Sequence, residues 1–212
     1  MLITYPLKSG LYVNMTNRCT CACTFCLRNN GAGVYGTDSL WLEREPTVEE
    51  VNASIDSHDL SRFDEVVFCG YGEPTMRLDD LLAVARHVKE RAPSMRVRVN
   101  TNGLADLEYG RPTAPMLKGL VDTVSISLNT PDPDEYLKVC RPKFGAGSWE
   151  AMVEYARECT KQVPDVVFTV VDEPVTSKAN QERCRAIAES VGARLRVRPY
   201  ETTTDGPPPV GR

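Results

Sequence analysis

Three cysteines near the start of this 212-residue chain, Cys19, Cys23 and Cys26, have the spacing C-x3-C-x2-C. Thiolates on a short loop are the usual ligands of iron–sulfur clusters, because soft sulfur suits iron and a loop lets several thiols converge on one face. Three thiolates leave one iron of a cubane without a protein ligand. The spacing therefore predicts a four-iron four-sulfur cluster that is open to a small molecule at one corner, as catalytic metal sites are.

Two other uses of these cysteines are weighed against the cluster. Cys21 brings the loop to four thiols, enough for a zinc ion, but structural zinc sites usually combine two separated pairs and no second C-x2-C follows. A disulfide framework would indicate secretion, which usually requires an apolar signal segment at the N-terminus. Residues 1–10 contain only a short apolar stretch, and Lys8 interrupts it. We therefore expect a cluster, in a protein of the reducing cytoplasm.

Composition limits the partners of the chain. It is 42% hydrophobic and carries 25 Lys and Arg against 29 Asp and Glu, a net charge of −4. These values suit one globular domain, and they give no general attraction to nucleic acid or to an anionic membrane. No apolar run is long enough to cross a bilayer. We expect a single core domain over residues 1–200 and a Pro-rich tail over residues 201–212.

Hydrophobic patterning predicts an alternation of strands and helices, which is typical of α/β proteins with parallel strands and right-handed crossovers. The predicted strands are residues 11–16, 65–74 with a glycine turn at its end, 96–103, 123–130, 165–171 and 193–200. The predicted helices are residues 46–58, 78–91, 115–120, 148–161 and 180–191, the first capped by Thr47 with Glu50.

Several predicted strands alternate polar and apolar residues, unlike the continuous apolar strands of a closed TIM barrel. Helices must cover the outer face, so the apolar residues should face outward and the polar ones should line the interior. The pattern predicts a polar, ligand-filled lumen. Its predicted lining is Tyr12, Asn14, Thr16, Arg98, Asn100, Asn102, Ser125, Ser127, Asn129, Arg194, Arg196, Arg198 and Tyr200.

The cysteine spacing, the aromatic Phe25 and the segment YGEP at residues 71–74 together resemble the radical S-adenosylmethionine superfamily. The resemblance implies a partial (β/α)6 TIM-like barrel and a cluster whose open iron chelates S-adenosylmethionine. Reductive cleavage then yields a 5′-deoxyadenosyl radical that abstracts hydrogen from a substrate. Three prolines at residues 207–209 forbid a full sixth helix, so we expect an abbreviated C-terminus.

The resemblance also implies roles for individual residues. Cys19, Cys23 and Cys26 would ligate the cluster, and Phe25 would lie beside the adenine. Gly72 and Glu73 match the family's glycine-rich turn, near which the methionyl amine binds. The remaining cofactor contacts would come from strand ends, at Asn102, Ser127 and Asn129.

Two arginines of the last strand extend this assignment beyond the family pattern. Guanidiniums inside a cavity need anionic partners, because an unpaired buried charge is costly. We expect Arg196 to bind the carboxylate of S-adenosylmethionine and Arg198 to bind a polar or anionic substrate. The alternative is an ion pair with a rim acid such as Asp172 or Glu173. The other predicted substrate-binding residues are Asn14, Arg98, Asn100 and Tyr200.

Longer stretches of the chain, among them LYVNMTNRCT and SISLNTPDPDEY, resemble the small radical S-adenosylmethionine proteins called TatD-associated. The chain is also similar to 7-carboxy-7-deazaguanine synthase and queuine lyase. This resemblance favours a small-molecule substrate, with a 7-deazapurine such as queuine as the first candidate, and a flavodoxin or ferredoxin type electron donor. Two alternatives remain: an activase that installs a glycyl radical on a partner protein, and a non-catalytic iron–sulfur or zinc protein.

Overall fold

The computed structural model describes residues 1–29 and 39–200 and contains one seven-stranded sheet with the strands in sequence order. Strands β2 to β7 run parallel to one another, and helices connect β2 through β7. The strands are β1 (Thr4–Leu7), β2 (Gly10–Val13), β3 (Glu65–Phe68), β4 (Arg96–Thr101), β5 (Thr123–Ser127), β6 (Asp165–Val171) and β7 (Arg194–Arg198).

Six α-helices lie among the described residues: α1 (Val48–Asp56), α2 (Leu78–Arg91), α3 (Ala105–Tyr109), α4 (Pro133–Cys140), α5 (Ser148–Cys159) and α6 (Lys178–Ser190). The predicted capping box at the start of α1 is confirmed. The Thr47 hydroxyl accepts from the Glu50 backbone N–H, and the Glu50 carboxylate accepts from the Thr47 backbone N–H.

The prediction of an α/β fold of the partial (β/α)6 type is confirmed, and so are its six parallel strands. The sequence prediction missed β1, which pairs antiparallel with β2 at the edge of the sheet. This strand has four residues, including Pro6, and gives no alternating pattern of useful length. Lys8 adopts a positive φ of 54° in the turn that joins the two strands.

Several elements differ from the prediction in their bounds or their type. Strand β2 ends at Val13, so Asn14 follows the strand instead of lying within it. The predicted helix over residues 115–120 is a 3-10 turn, Ala114–Leu117. Helix α4 was not predicted; prolines at residues 131 and 133 bracket its start, Asp132 caps it and Pro133 occupies its first turn.

The two faces of the sheet differ as predicted. Apolar strand residues such as Val99, Ile126 and Phe168 are buried against the surrounding helices in one continuous core. The polar residues of the same strands share the opposite face, since Asn100 is in register with Ser125, and Thr169 with Arg196. The concave interior is therefore polar.

None of the described helices is both long and apolar enough to span a membrane. The predicted tail, residues 201–212, lies outside the described residues.

Candidate active site

The cysteine loop is held by the C-terminal end of α4. The Ala22 backbone N–H donates to the Cys140 carbonyl at 3.1 Å, and the Thr24 N–H donates to the Val139 carbonyl at 2.8 Å. Lys143 continues this pairing by donating its N–H to the Thr20 carbonyl at 2.8 Å. The loop backbone is thus fixed by the protein at the end of the sheet where the strands finish.

Three of the four thiols in the loop differ from the fourth in exposure. Cys19, Cys23 and Cys26 are partly exposed, whereas Cys21 is only 6% exposed and belongs to the apolar core. A hydrogen bond to Cys21 and burial raise the pKa of the Cys19 thiol, and burial raises that of Cys26. A thiol must lose its proton to act as a metal ligand, so binding a metal group at these cysteines would release protons.

The exposure of these cysteines suits the implied cluster. Within the part of the chain that the structure describes, no group of three or more His, Cys, Asp or Glu side chains is placed to hold one metal ion. A cubane spreads its thiolate ligands over separate irons and does not need them to converge on one point. Three partly exposed thiols on one backbone-braced loop match that need, and the buried Cys21 does not compete with them.

The turn after β3 packs directly on the start of the cysteine loop. A Cβ added at Gly72 would lie 2.2 Å from the Thr16 carbonyl oxygen and 2.7 Å from that of Arg18. The neighbouring Glu73 N–H donates to the Arg18 carbonyl at 2.8 Å. Only glycine permits this approach, which explains the residue at this position.

The Glu73 carboxylate lies within the protein and accepts four hydrogen bonds. It is 5% exposed; Oε1 accepts from the Thr75 N–H and from the hydroxyls of Thr75 and Thr101, and Oε2 accepts from the Asn102 N–H. Burial raises the pKa of this carboxyl, and the donated hydrogen bonds oppose that rise. These four hydrogen bonds join the β3 turn to the end of β4. The role of Glu73 in binding the cofactor stays a prediction.

Asn102 connects the end of β4 to the cysteine loop. Its Nδ2 donates to the Thr20 hydroxyl at 2.8 Å and lies 3.6 Å from Cys21 Sγ and 3.9 Å from Cys19 Sγ. Amide donors beside cluster sulfurs stabilise added negative charge and so tune reduction potential.

Asn129, after β5, is a strained residue with an unused acceptor. Its φ is 63°, in the left-handed region, and its Nδ2 donates to Cys140 Sγ at 3.3 Å. Its Oδ1 is buried and has no partner among the described residues. Strained backbone with a free buried acceptor is typical of a ligand site. Ser127, two residues earlier, is partly exposed on the same face.

The lumen arginines are placed in three different ways. Arg98 is 7% exposed and forms an ion pair of 2.9 Å with Glu65. Among the described residues, Arg196 Nη2 donates only to the Ser125 hydroxyl, at 3.5 Å. The side chain therefore points towards the amino ends of the strands and away from Ser127. Arg198 is partly exposed, and its buried Nε has no partner within the described chain.

The rim acids do not neutralise these arginines. The Asp172 carboxylate accepts from Lys178 Nζ at 2.6 Å and from Gln181 Nε2 at 2.7 Å. Among residues 1–29 and 39–200, neither Arg196 nor Arg198 forms an ion pair. The alternative of pairing with Asp172 is wrong for the described chain, and both guanidiniums stay available to an anion.

The other predicted site residues lie at different depths. Asn14 is fully buried and its Nδ2 donates to the carbonyls of Leu40, at 2.7 Å, and Leu2, at 3.3 Å, so it joins these chain segments. Its Oδ1 has no partner among the described residues. Asn100 faces the lumen with a buried, unpartnered Oδ1. Phe25 packs on the core beside the cysteines, and Tyr200 is partly exposed at the end of the described chain.

Two residues of α4, Tyr136 and Cys140, lie against the cysteine loop and were not predicted as site residues. Burial, followed by the proximity of the thiols of Cys21, Cys140 and Cys23, raises the pKa of Tyr136. Asp132 was the sequence signal for the start of α4, and recognising that helix would have placed both residues on it. In the structure Asp132 caps α4 by accepting from the Glu135 N–H at 2.9 Å.

Comparison with known proteins gives one family. Residues 13–199 match the Radical SAM superfamily. A probable dual-specificity RNA methyltransferase RlmN from Rhodococcus erythropolis is 32% identical over 169 residues, covering 74% of this chain and 43% of the relative. A GTP 3′,8-cyclase from Streptomyces coelicolor is 30% identical over 134 residues, 63% of this chain and 36% of the relative. The chain thus spans about two fifths of the length of these relatives.

Solved structures share the fold. A radical SAM methyltransferase from Sphaerobacter thermophilus aligns with a TM-score of 0.59 and 20% identity, covering 92% of this chain and 56% of that one. SuiB from Streptococcus suis, solved with S-adenosylmethionine bound, aligns with a TM-score of 0.64 and 16% identity, covering 95% and 42%.

Proposed function

The chain belongs to the Radical SAM superfamily, and on that premise we propose that it is an enzyme that uses a four-iron four-sulfur cluster and S-adenosylmethionine to abstract hydrogen from a small polar substrate. When bound, the reduced cluster supplies the electron that cleaves S-adenosylmethionine to methionine and a 5′-deoxyadenosyl radical. The observation that carries the proposal is the set of three partly exposed thiols, Cys19, Cys23 and Cys26, braced at the end of the sheet beside a polar lumen.

The residues around the thiols suit the binding of S-adenosylmethionine. The Gly72 turn lies against the backbone carbonyls of Thr16 and Arg18 at the start of the loop, and carbonyls are acceptors for an ammonium group. Asn129 Oδ1 is a free acceptor for a ribose hydroxyl, and Ser127 can donate or accept next to it. Phe25 offers an apolar ring beside the cysteines for the adenine. Arg196, which we expected at the methionyl carboxylate, points to the other end of the lumen in this structure.

The substrate we propose is a small polar or anionic molecule held by Asn100 and Arg198, whose buried polar atoms have no partner in the described chain. Queuine is the first compound to test, because a 7-deazapurine offers several donors and acceptors to such a lumen. The name of one relative, GTP 3′,8-cyclase, makes GTP the second. The electron donor we propose is of the flavodoxin or ferredoxin type.

The test is formation of 5′-deoxyadenosine by anaerobically reconstituted full-length protein with dithionite and S-adenosylmethionine, alone and with queuine or GTP. We expect turnover by the wild type, and stimulation by the true substrate. Cys23→Ser should lose cluster absorbance and turnover. Cys21→Ser is the matched control, since it changes a thiol in the same loop that we exclude from ligation. Retention of the cluster by Cys23→Ser with loss in Cys21→Ser would contradict the assignment.

The same assay separates the two alternatives. Turnover that responds to neither compound but rises with a partner protein carrying a glycyl-radical site would indicate an activase. An intact cluster with no cleavage of S-adenosylmethionine would indicate a non-catalytic iron–sulfur protein, and zinc with no iron after reconstitution would indicate a zinc protein.

A further inference from the structure

A second polar cavity opens at the amino-terminal ends of the parallel strands, at the opposite end of the sheet from the cysteines. Its volume is about 180 Å³. Four arginines, two acids and a hydroxyl contribute most of its polar lining: Arg96, Arg98, Arg194, Arg196, Glu65, Asp165 and Ser125. Thr123, which lines this cavity, is the first residue of β5, and Ser127 is the last. About 13 Å of strand separates them, so the cavity lies well away from the predicted cofactor contacts at Ser127 and Asn129.

The cavity carries an excess of positive charge. Four guanidiniums face two carboxylates, and each carboxylate is already used. Glu65 pairs with Arg98 at 2.9 Å, and Asp165 accepts from Arg194 Nε at 2.9 Å and Nη2 at 2.8 Å. The acids therefore hold Arg98 and Arg194 in place, and Arg96 and Arg196 are left without a counter-ion among residues 1–29 and 39–200.

Arg196 is the centre of this imbalance. It is half-buried, and its one hydrogen bond in the described chain is the long contact of 3.5 Å to the Ser125 hydroxyl. Its Nε is buried and has no partner among residues 1–29 and 39–200, and the same is true of the Nε of Arg98, a side chain only 7% exposed. Buried guanidinium donors without acceptors are costly, so their retention indicates an absent ligand that accepts hydrogen bonds.

We propose that this cavity binds a phosphate group, held by Arg196 and Arg98 with the Ser125 hydroxyl. A phosphate near neutral pH carries between one and two negative charges and accepts several hydrogen bonds, which suits the net positive charge of the cavity lining and the free Nε donors of Arg196 and Arg98. The volume admits one such group, and the exposed Arg96 lies at the opening. The source of the group is either the free ion or the end of a phosphorylated small molecule.

The test measures thermal unfolding of the full-length reconstituted protein with inorganic phosphate, with ribose 5-phosphate and with ribose, at constant ionic strength. At about 20 times the dissociation constant, a bound ligand should raise the Tm of a chain of this size by roughly 4 °C. Arg196→Gln should abolish the rise. It should also leave the phosphate-free Tm equal to or above that of the wild type, because it removes an unpaired, half-buried charge. Arg185→Gln is the matched control: this exposed arginine on α6 pairs with Glu182 and does not line the cavity.

Each outcome has a defined meaning. A rise with both phosphate and ribose 5-phosphate, lost only in Arg196→Gln, establishes the site and permits the free ion as ligand. A rise with ribose 5-phosphate alone, lost in the same variant, establishes the site for a phosphorylated molecule. No rise, an equal rise in Arg196→Gln, or an equal rise with chloride in place of phosphate overturns the proposal. This readout requires no turnover, so it stands apart from the proposed radical chemistry.

Discussion

Glu73 and Asn102 are joined by a hydrogen bond of 2.7 Å from the Asn102 backbone N–H to Glu73 Oε2, which fixes the turn after β3 to the end of β4. Because every group around the carboxylate is a donor, an amide cannot replace it. Glu73→Gln places an NH₂ group against at least one N–H or hydroxyl and leaves a buried donor unsatisfied. We expect a loss of about 1–3 kcal/mol in the free energy of unfolding, measured by urea denaturation of the metal-free protein.

The control for that measurement is Glu43→Gln, an acid whose side chain is 85% exposed. Its free energy of unfolding should stay within about 0.5 kcal/mol of the wild type. An equally small change in the free energy of unfolding for Glu73→Gln would show that the carboxylate oxygens of Glu73 do not accept these hydrogen bonds.

Gly72→Ala tests the close approach of the β3 turn to the cysteine loop. The new methyl group would meet backbone carbonyls of Thr16 and Arg18, which cannot rotate away. We expect a loss of about 2–3 kcal/mol from overpacking, together with lower iron content after reconstitution. Gly119→Ala has open space around its Cβ and only the cost of a positive φ, about 1 kcal/mol. Equal losses in the two variants would contradict the packing argument.

Asn102→Ala removes an amide donor near Cys19 and Cys21. A donor beside cluster sulfur stabilises the more negative, reduced state, so its loss should make the midpoint potential more negative. The measurement is a redox titration followed by electron paramagnetic resonance. Asn180→Ala, on α6, should leave the potential unchanged, and an unchanged or more positive value for Asn102→Ala would refute the effect.

Two substitutions of Asn129 separate the effect of its backbone conformation on stability from its effect on ligand binding. Glycine accepts a φ of 63° without strain, whereas alanine does not. Both Asn129→Gly and Asn129→Ala remove the free Oδ1, so both should weaken binding of S-adenosylmethionine by about 5- to 10-fold, the value of one hydrogen bond. Only the alanine variant should lose an additional 1 kcal/mol or so of stability. Isothermal titration calorimetry measures the affinity for S-adenosylmethionine, and denaturation measures the free energy of unfolding. Wild-type affinity in Asn129→Gly would show that Asn129 does not bind the cofactor.

The elements with strong local signals were predictable from the sequence. The observed bounds of α2 and β6 equal the predicted ones, because a 3.6-residue period and a continuous β-branched run mark them clearly. The polar lumen also followed from strand alternation. Strand β1 and helix α4 were missed because both are short and contain proline.

Contacts that depend on strand register could not be predicted from the sequence. The pair of Arg98 with Glu65 arises because Val67 is opposite Arg98, which puts the acid of β3 one pleat below it. No local pattern encodes that relationship. The same is true of Arg196, whose direction along the lumen decides which of the two ends of the sheet it serves.

The cysteine loop is attached to the end of α4 by backbone hydrogen bonds. The N–H groups of Ala22 and Thr24 donate to carbonyls at the end of that helix. Because no cysteine side chain takes part in these two hydrogen bonds, replacing one of the three proposed thiolate ligands removes a ligand and leaves the loop attached. The chain therefore separates the support of the metal centre from the identity of its ligands.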